Sequence, residues 1–289
     1  FKEIQYIYGV PKEILLTFWA LETDFGLFQG EYNTLNALLT LSHDCRRPSL
    51  FRPQIFGALE LYTRGGFNPQ RTKGAWAGEI GMLQMLPLGL LEYGVDGDND
   101  GKIDIRTSAI DALHSTARKL ASMGWKRNEP WLLEVRVPER MDWEKTGLTT
   151  TLPLVEWEKM GVWPRLGNFQ NYDEVSLILP MGRKGPAFLT YPNFRVLSKW
   201  NNSSVYTTTA AYFATLLIGE PRYRLGSPEP ILSLEEMVRL QKKLEQKGYD
   251  VGGVDGILGA KTREAVRQEQ LRMKLPADGW PTKNMLSKI

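Results

Sequence analysis

Glu22 stands at the end of an apolar helix face. In "LLTFWALETDFG", residues 15–26, Leu15, Phe18 and Trp19 lie seven, four and three positions before it. Residues three and four apart are neighbours on a helix. An apolar setting disfavours the ionised form of a carboxyl group, and the partial negative charge at a helix C-terminus acts in the same direction. A carboxyl that keeps its proton near neutrality can serve as a general acid. The stretch also reads as a surface glutamate on a frayed last turn. Phe25, three positions on, is placed to cover the other side of Glu22. Asp24 is two positions away, faces elsewhere, and is a poor partner for a carboxylate pair.

A second group of chemical residues is "DGDNDGKID", with Asp96, Asp98 and Asp100 followed by Gly101. This is the one-three-five spacing of an EF-hand loop, with glycine at position six for the turn. Lys102 would offer its backbone carbonyl at position seven. Position twelve is Thr107 where that loop needs Glu, so the ordinary ligand set is one carboxylate short. Hard oxygen donors suit Ca²⁺, or Na⁺ in the same cage, and argue against zinc. The other reading is an ion-free, Asx-rich turn.

The elements that must position these groups are mostly helices. Pro11 suits the first position of a helix that Gly26 ends. "TLNALLTL" (34–41) and "FRPQIFGALELYTR" (51–64) read as two more helices. The glycine-rich "GAWAGEIGMLQMLP" (74–87) follows. Residues 108–123 form a helix with Ser108 as N-cap and Asp111 in the place of a capping-box acid. "WLLEVRVP", "VSLILPMG" and "PAFLTYPN", between 130 and 200, read as short strands. A helix over about 204–218 closes this part. "GEPRYRLGSPEPIL" (219–232) is rich in Pro and Gly and reads as a linker. Beyond it, Ser233 and Glu236 make a capping box. The loop "DVGGVDGILGA" then joins two helices of a small tail domain.

Composition limits the function. The chain has 289 residues, enough for two domains, with 42% hydrophobic and 24% charged residues, as in ordinary soluble globular proteins. A net charge of +3 on dispersed Lys and Arg excludes a nucleic-acid-binding surface. One cysteine, Cys45, excludes an intrachain disulfide. No apolar run approaches the ~18 residues of a membrane span. Nine Trp and eleven Tyr supply rings for a core or for stacking on sugars.

Several motifs in fixed order resemble the membrane-bound lytic transglycosylases of the B type: "YGVPKEILLTFWALETDFG", "TLNALLTLSHDCRRPSLF", "GAWAGEIGMLQMLP", "DGDNDGKIDI", "GWKRNEPW" and "GPAFLTYPNFRVLSKWNNSSVY". The likeness covers residues 1 to 225. It implies cleavage of the β-1,4 bond from N-acetylmuramic acid to N-acetylglucosamine in peptidoglycan. Glu22 matches the family's single catalytic glutamate, acting as acid and then as base, and the product is a 1,6-anhydromuramyl end. The resemblance implies glycan contacts at Arg46, Arg47, Gln84, Trp200, Asn201 and Tyr206. Buried bracing is the competing role for Gln84, a solvated pair for the two arginines, and core packing for Trp200 and Tyr206. It also implies that Asp111 completes a calcium site with Asp96, Asp98, Asp100 and Lys102, and it implies no organic cofactor.

Other positions depart from the family pattern. Ala75 replaces a serine, Glu79 a small residue and Met85 an aromatic, and Ala117, Arg118 and Lys119 stand where "ANY" is common. "LQKKLEQKGYDVGGVDGILGAKTREAV" is similar to the peptidoglycan-binding domain PG_binding_1, carried by Leu240, Gln241, Leu244, Gly248, Tyr249, Asp255, Gly256, Gly259, Thr262 and Ala265. The expected fold is mainly α (α+β). It has a lysozyme-like helical catalytic domain at 1–225 with an α/β insertion at about 130–190, and a three-helix peptidoglycan-binding domain at 226–289. Expected partners are peptidoglycan glycan strands, with cell-wall synthesis or division proteins as further ones and the oligomeric state open. The implied place is the periplasm of a Gram-negative bacterium, soluble or lipid-anchored in the outer membrane, with the leader outside this sequence. A water-using muramidase and a non-catalytic wall-binding scaffold are the rival functions.

Overall fold

The computed structural model describes residues 1–169 and 172–289, in two units, Phe1–Asn128 and Glu129–Ile289. The first unit is helical: α1 (Lys2–Tyr8), α2 (Lys12–Thr23), α3 (Thr34–His43), α4 (Pro48–Thr63), α5 (Pro87–Tyr93) and α6 (Ala109–Ser122). A two-stranded antiparallel ribbon joins β1 (Tyr32–Asn33) to β2 (Lys73–Gly74), with Tyr32 opposite Gly74. α2 buries Ile14, Leu15, Thr17, Phe18 and Thr23; of the face that the spacing predicts, Leu15 and Phe18 are buried and Trp19 is half-buried. Each such apolar side chain contributes roughly 1.5–3 kcal/mol by leaving water.

Two ends of α2 differ from the sequence reading. Pro11 is the N-cap, in extended conformation, rather than the first helical residue. The helix stops at Thr23, not at Gly26, because Asp24 and Phe25 both turn left-handed with φ of 48° and 58°. Asp24 donates its N–H to Ala20 O and Phe25 its N–H to Trp19 O, which satisfies the last carbonyls. Asp and its neighbour reach this conformation where a glycine is the usual choice.

The second unit holds a four-stranded antiparallel sheet in the order β4-β3-β6-β5. Its strands are β3 (Leu132–Arg136), β4 (Trp163–Pro164), β5 (Ser176–Ile178) and β6 (Ala187–Thr190). The three expected strands are present, and Pro192, opening α8, ends the third at Thr190. α7 (Leu154–Lys159), α8 (Pro192–Trp200) and α9 (Ser204–Leu217) accompany the sheet. The core around Trp157, Leu177 and Leu189 seals it. α1, α5, α7 and α8 were not legible from periodicity, being only six to nine residues long.

The tail helices are α10 (Leu234–Gln246), α11 (Ala260–Arg272) and α12 (Lys283–Lys288), around their own core of Leu240, Leu244, Val266 and Trp280. The capping box forms as expected, Ser233 Oγ accepting from Glu236 N–H and Glu236 answering to Ser233 N–H. Gln241 is buried and donates to Asp255, Ile257 O and Thr262, closing the glycine-rich loop onto α10. Glu269, with 0% exposure, accepts from Arg272, Lys247 and Tyr249. The Arg272 guanidinium foremost holds its carboxyl down to about 2, from 4.5. A carboxyl whose folded value lies below its unfolded one stabilises the fold above the unfolded value and loses that contribution as pH falls. Amide hydrogen exchange in α10 and α11 is therefore expected to quicken between about pH 4.5 and pH 2 in the full chain, and less so in Glu269→Gln.

Candidate active site

Glu22 lies half-buried in the last turn of α2. Phe18 beneath it is 1% exposed, and Trp19 meets the edge of the Phe25 ring at 5.5 Å. The next residue, Thr23, fastens the helix end. Its hydroxyl donates to Met82 O at 2.6 Å and accepts from Gly26 N–H at 2.9 Å. Met82 belongs to the glycine-rich loop, so α2 and the Gln84 loop are held together beside the carboxyl.

The loop itself is tight. Ile80 and Met85 exchange both backbone hydrogen bonds, at 2.7 and 2.9 Å. Gln84 sits between them with φ of 52°, a conformation that costs a non-glycine residue about 1–3 kcal/mol. Gly81 has φ of 80°, and a Cβ there would come within 2.6 Å of Ile105 O. That close approach lets Met82 N–H reach Ile105 O at 2.9 Å. The Gln84 amide donates to Gly81 O at 2.9 Å and to Gln29 O at 3.3 Å. Its donor half braces the loop, and among the described residues its oxygen takes no partner.

Charge gathers around Glu22. Glu79 has a buried Oε2 without a hydrogen bond. Burial pushes its carboxyl up, the Glu22 charge adds to that push, and its own and Ala77 backbone N–H groups and Arg47 oppose it. Burial pushes the Lys119 ammonium down, against the Glu22 and Glu92 carboxylates. Two departures from the family pattern, Glu79 and Lys119, thus bring opposite charges into the field of Glu22. Arg46 turns away to Asp44, with Nη2 2.7 Å from Oδ2, and Arg47 is the N-cap residue of α4. Phe28, Tyr32 and Trp76, on the segments after α2 and around the ribbon, are 73%, 63% and 65% exposed. Such open rings suit sugar faces. Sequence reading counted the aromatics without telling the exposed from the buried.

Trp200, Asn201 and Tyr206 belong to the second unit, where α8 turns into α9. Trp200 ends α8. Asn201 caps it, accepts Ser203 N–H at 2.9 Å through its side chain and Thr207 Oγ1 through its carbonyl. Tyr206 lies in the first turn of α9, half-buried.

The aspartate loop gathers Asp96, Asp98 and Asp111, with ligand oxygens all within 4.8 Å of one another. Asp100 lies outside this group and accepts Lys102 N–H. Asp111, 1% exposed, does not reach back to cap α6 in the expected box. Its two oxygens instead accept Gly97 N–H at 2.9 Å and Asp104 N–H at 2.8 Å. The loop then supports the site: Ile105 O holds Met82, and Arg106 O accepts from Gln29, which carries the carbonyl that Gln84 uses.

An end-of-helix glutamate held against a strained glutamine loop, in a mainly helical unit, defines a class. Residues 1–215 match the transglycosylase SLT domain and residues 233–289 the putative peptidoglycan binding domain; the chain belongs to the SLT transglycosylase family. It is 38% identical to SltB3 of Pseudomonas aeruginosa, solved with NAG-anhNAM-pentapeptide, with a TM-score of 0.88 over 99% of this chain and 78% of that one. It is 25% identical to the lytic transglycosylase Slt35 of Escherichia coli, solved with calcium, with a TM-score of 0.66 over 75% of this chain and 69% of that one. It is 29% identical over 204 residues to the membrane-bound lytic murein transglycosylase B of Escherichia coli K12, and spans 55% of that protein's length against 69% of its own. The lysozyme-like helical core with a small inserted sheet is the fold of these neighbours. Among the described residues no helix is long and apolar enough to cross a membrane.

Proposed function

We propose that the chain is a lytic transglycosylase that cuts the β-1,4 bond from N-acetylmuramic acid to N-acetylglucosamine in peptidoglycan. The observation that carries this reading is Glu22 at the end of α2, fastened through Thr23 to the loop that bears Gln84. Protonated Glu22 donates to the glycosidic oxygen as the C1–O bond breaks. The carboxylate then takes the proton of the muramyl C6 hydroxyl, whose oxygen bonds to C1 of the same sugar and closes the 1,6-anhydro ring. An internal nucleophile lets one carboxyl serve where most glycosidases use two, and attack within one sugar has a high effective concentration. The open face of Gln84 Oε1 and the exposed Tyr32 and Trp76 rings supply contacts for the glycan in the first unit. Arg46, Arg47, Trp200, Asn201 and Tyr206 are assigned to glycan binding on the family pattern.

One observation favours a second reading. Glu79 is a half-buried carboxyl, its Oε2 sealed, in the field of Glu22, and a second carboxylate is what activates water in an inverting glycosidase. Mass spectrometry of fragments released from purified sacculi separates the two, because a hydrolysed end carries one water more than an anhydro end. Anhydro ends are expected; reducing muramic acid ends as the main product would sink the transglycosylase reading.

Residues 226–289 are assigned to wall polymer binding, which raises the local concentration of substrate for residues 1–225. On this reading the protein works at the cell wall, and we assign it to the periplasm. The Asp96, Asp98 and Asp111 oxygens, a hard and anionic set, fit Ca²⁺, and the related Slt35 was solved in complex with calcium. Asp100 and the Lys102 carbonyl complete the set in the family pattern. A bound ion pins the loop that supports Met82 and Gln29. Calcium is expected to raise the melting temperature of the chain and not that of Asp98→Asn; equal shifts in both would remove the ion from this loop.

A further inference from the structure

The second unit contains a cavity of about 430 Å³ that the glycan chemistry does not use. That volume lies in the range of small-molecule sites. One wall is apolar, made by Leu148 and the Ile178–Met181 segment after β5. Another is the first turns of α9, with the hydroxyls of Ser204, Thr208 and Thr209. The third is α11, which presents Arg263 and Arg267, one turn apart and so on one face.

The two guanidinium groups are held unequally. Arg263 donates to Pro180 O at 2.7 Å and lies over the Trp280 ring at 5.4 Å. Arg267 is 9% exposed, donates Nη1 to Glu264, and keeps a buried Nε that makes no hydrogen bond. Gly147 seats it, with φ of 105°, since a Cβ there would come within 2.6 Å of Nη2. Arg267 is thus fixed by close packing, its Nε sealed from the cavity, and among the described residues its Nη2, beside the cavity-lining Gly147, makes no hydrogen bond, so that donor is open to an acceptor in the cavity. Asp278, the other acid on the wall, already accepts from Arg183 N–H, Gln270 and Trp280 N–H, so it has little left to give the arginines.

The charges on the wall cancel: Arg263 and Arg267 against Glu264 and Asp278. A dianion such as a phosphate would meet both carboxylates. A single carboxylate on a small apolar body would meet Arg267 Nη2 and the apolar walls together, in a charge-assisted hydrogen bond. We propose that this cavity binds the carboxylate end of a short peptide with small apolar side chains, the chemistry of the peptides that peptidoglycan carries. The inference rests on the reading of the chain as a peptidoglycan enzyme. It assigns to α11, α9 and the β5 segment the recognition of the peptide rather than the sugar.

The test is calorimetric titration of the full-length Glu22→Gln chain with diacetyl-Lys-D-Ala-D-Ala and with its C-terminal amide. The acid is expected to bind and the amide to bind at least about tenfold more weakly. Arg267→Lys, which keeps the charge but not the guanidinium, and Thr208→Trp, which fills the cavity and leaves the arginines alone, are each expected to weaken the acid about tenfold or more. Equal binding of acid and amide, no binding at about 10 mM, or undiminished binding to folded Thr208→Trp would overturn the proposal. The titration needs no turnover. A wild-type chain that binds peptide without cutting sacculi sinks the catalytic reading alone; one that cuts without binding peptide sinks this one alone.

Discussion

Glu22→Gln is expected to lower the release of anhydro fragments from sacculi about 10³-fold or more. General acid or base catalysis by one positioned group is worth roughly 10²–10⁴, and here one residue serves in both steps. The glutamine keeps the shape of the carboxyl and cannot donate its proton, so the circular dichroism spectrum should not change. A residual rate within tenfold of wild type would show that another group supplies the proton. Glu79 is the candidate to examine next, as a carboxyl that feels the Glu22 charge. Glu79→Gln in the Glu22→Gln background would then remove what is left.

Asp111→Ala is expected to destabilise the first unit by about 3 kcal/mol. The variant leaves the Gly97 and Asp104 N–H groups without their acceptor, and an unsatisfied buried donor costs roughly 1–3 kcal/mol. The damage should travel. Asp104 and Ile105 adjoin, Ile105 O holds Met82 N–H, and Met82 O holds Thr23 beside Glu22. Urea unfolding at neutral pH measures the first effect. Amide exchange at residues 81–85 in the folded variant measures the second. Exchange there at the wild-type rate would mean that the aspartate loop and the glutamine loop are independent.

Much of this was legible in order and type. The long helices α2, α3, α4 and α6 announced themselves by periodicity and by Ser108. The capping box of Ser233 and Glu236 marked the start of α10, and the aspartate spacing marked its loop. The short elements were not legible, because six to nine residues carry too little periodicity to separate helix from loop. The end of α2 was misjudged by three residues, because a glycine signals a left-handed turn but Asp24 and Phe25 adopt one without it. The sequence pattern makes Asp111 a capping-box acid, whereas its carboxylate joins the aspartate loop. Its burial and its two backbone N–H partners depend on the loop folding back over fourteen and seven residues, which no local pattern encodes.

For the site, the sequence by itself determined which groups are present: Glu22 on an apolar helix face, Gln84 in a glycine-rich loop, three spaced aspartates, and a tail of wall-binding type. These follow from residue identity and short spacing, the scale on which helices and turns are set. Only the tertiary structure decided what each group meets. It brought the Gln84 donor to Gln29 O, half-buried Glu79 and Lys119 in the field of Glu22, and closed a cavity around Arg267. Those outcomes come from contacts between distant segments, where burial and desolvation, not local propensity, set the energy of a charge.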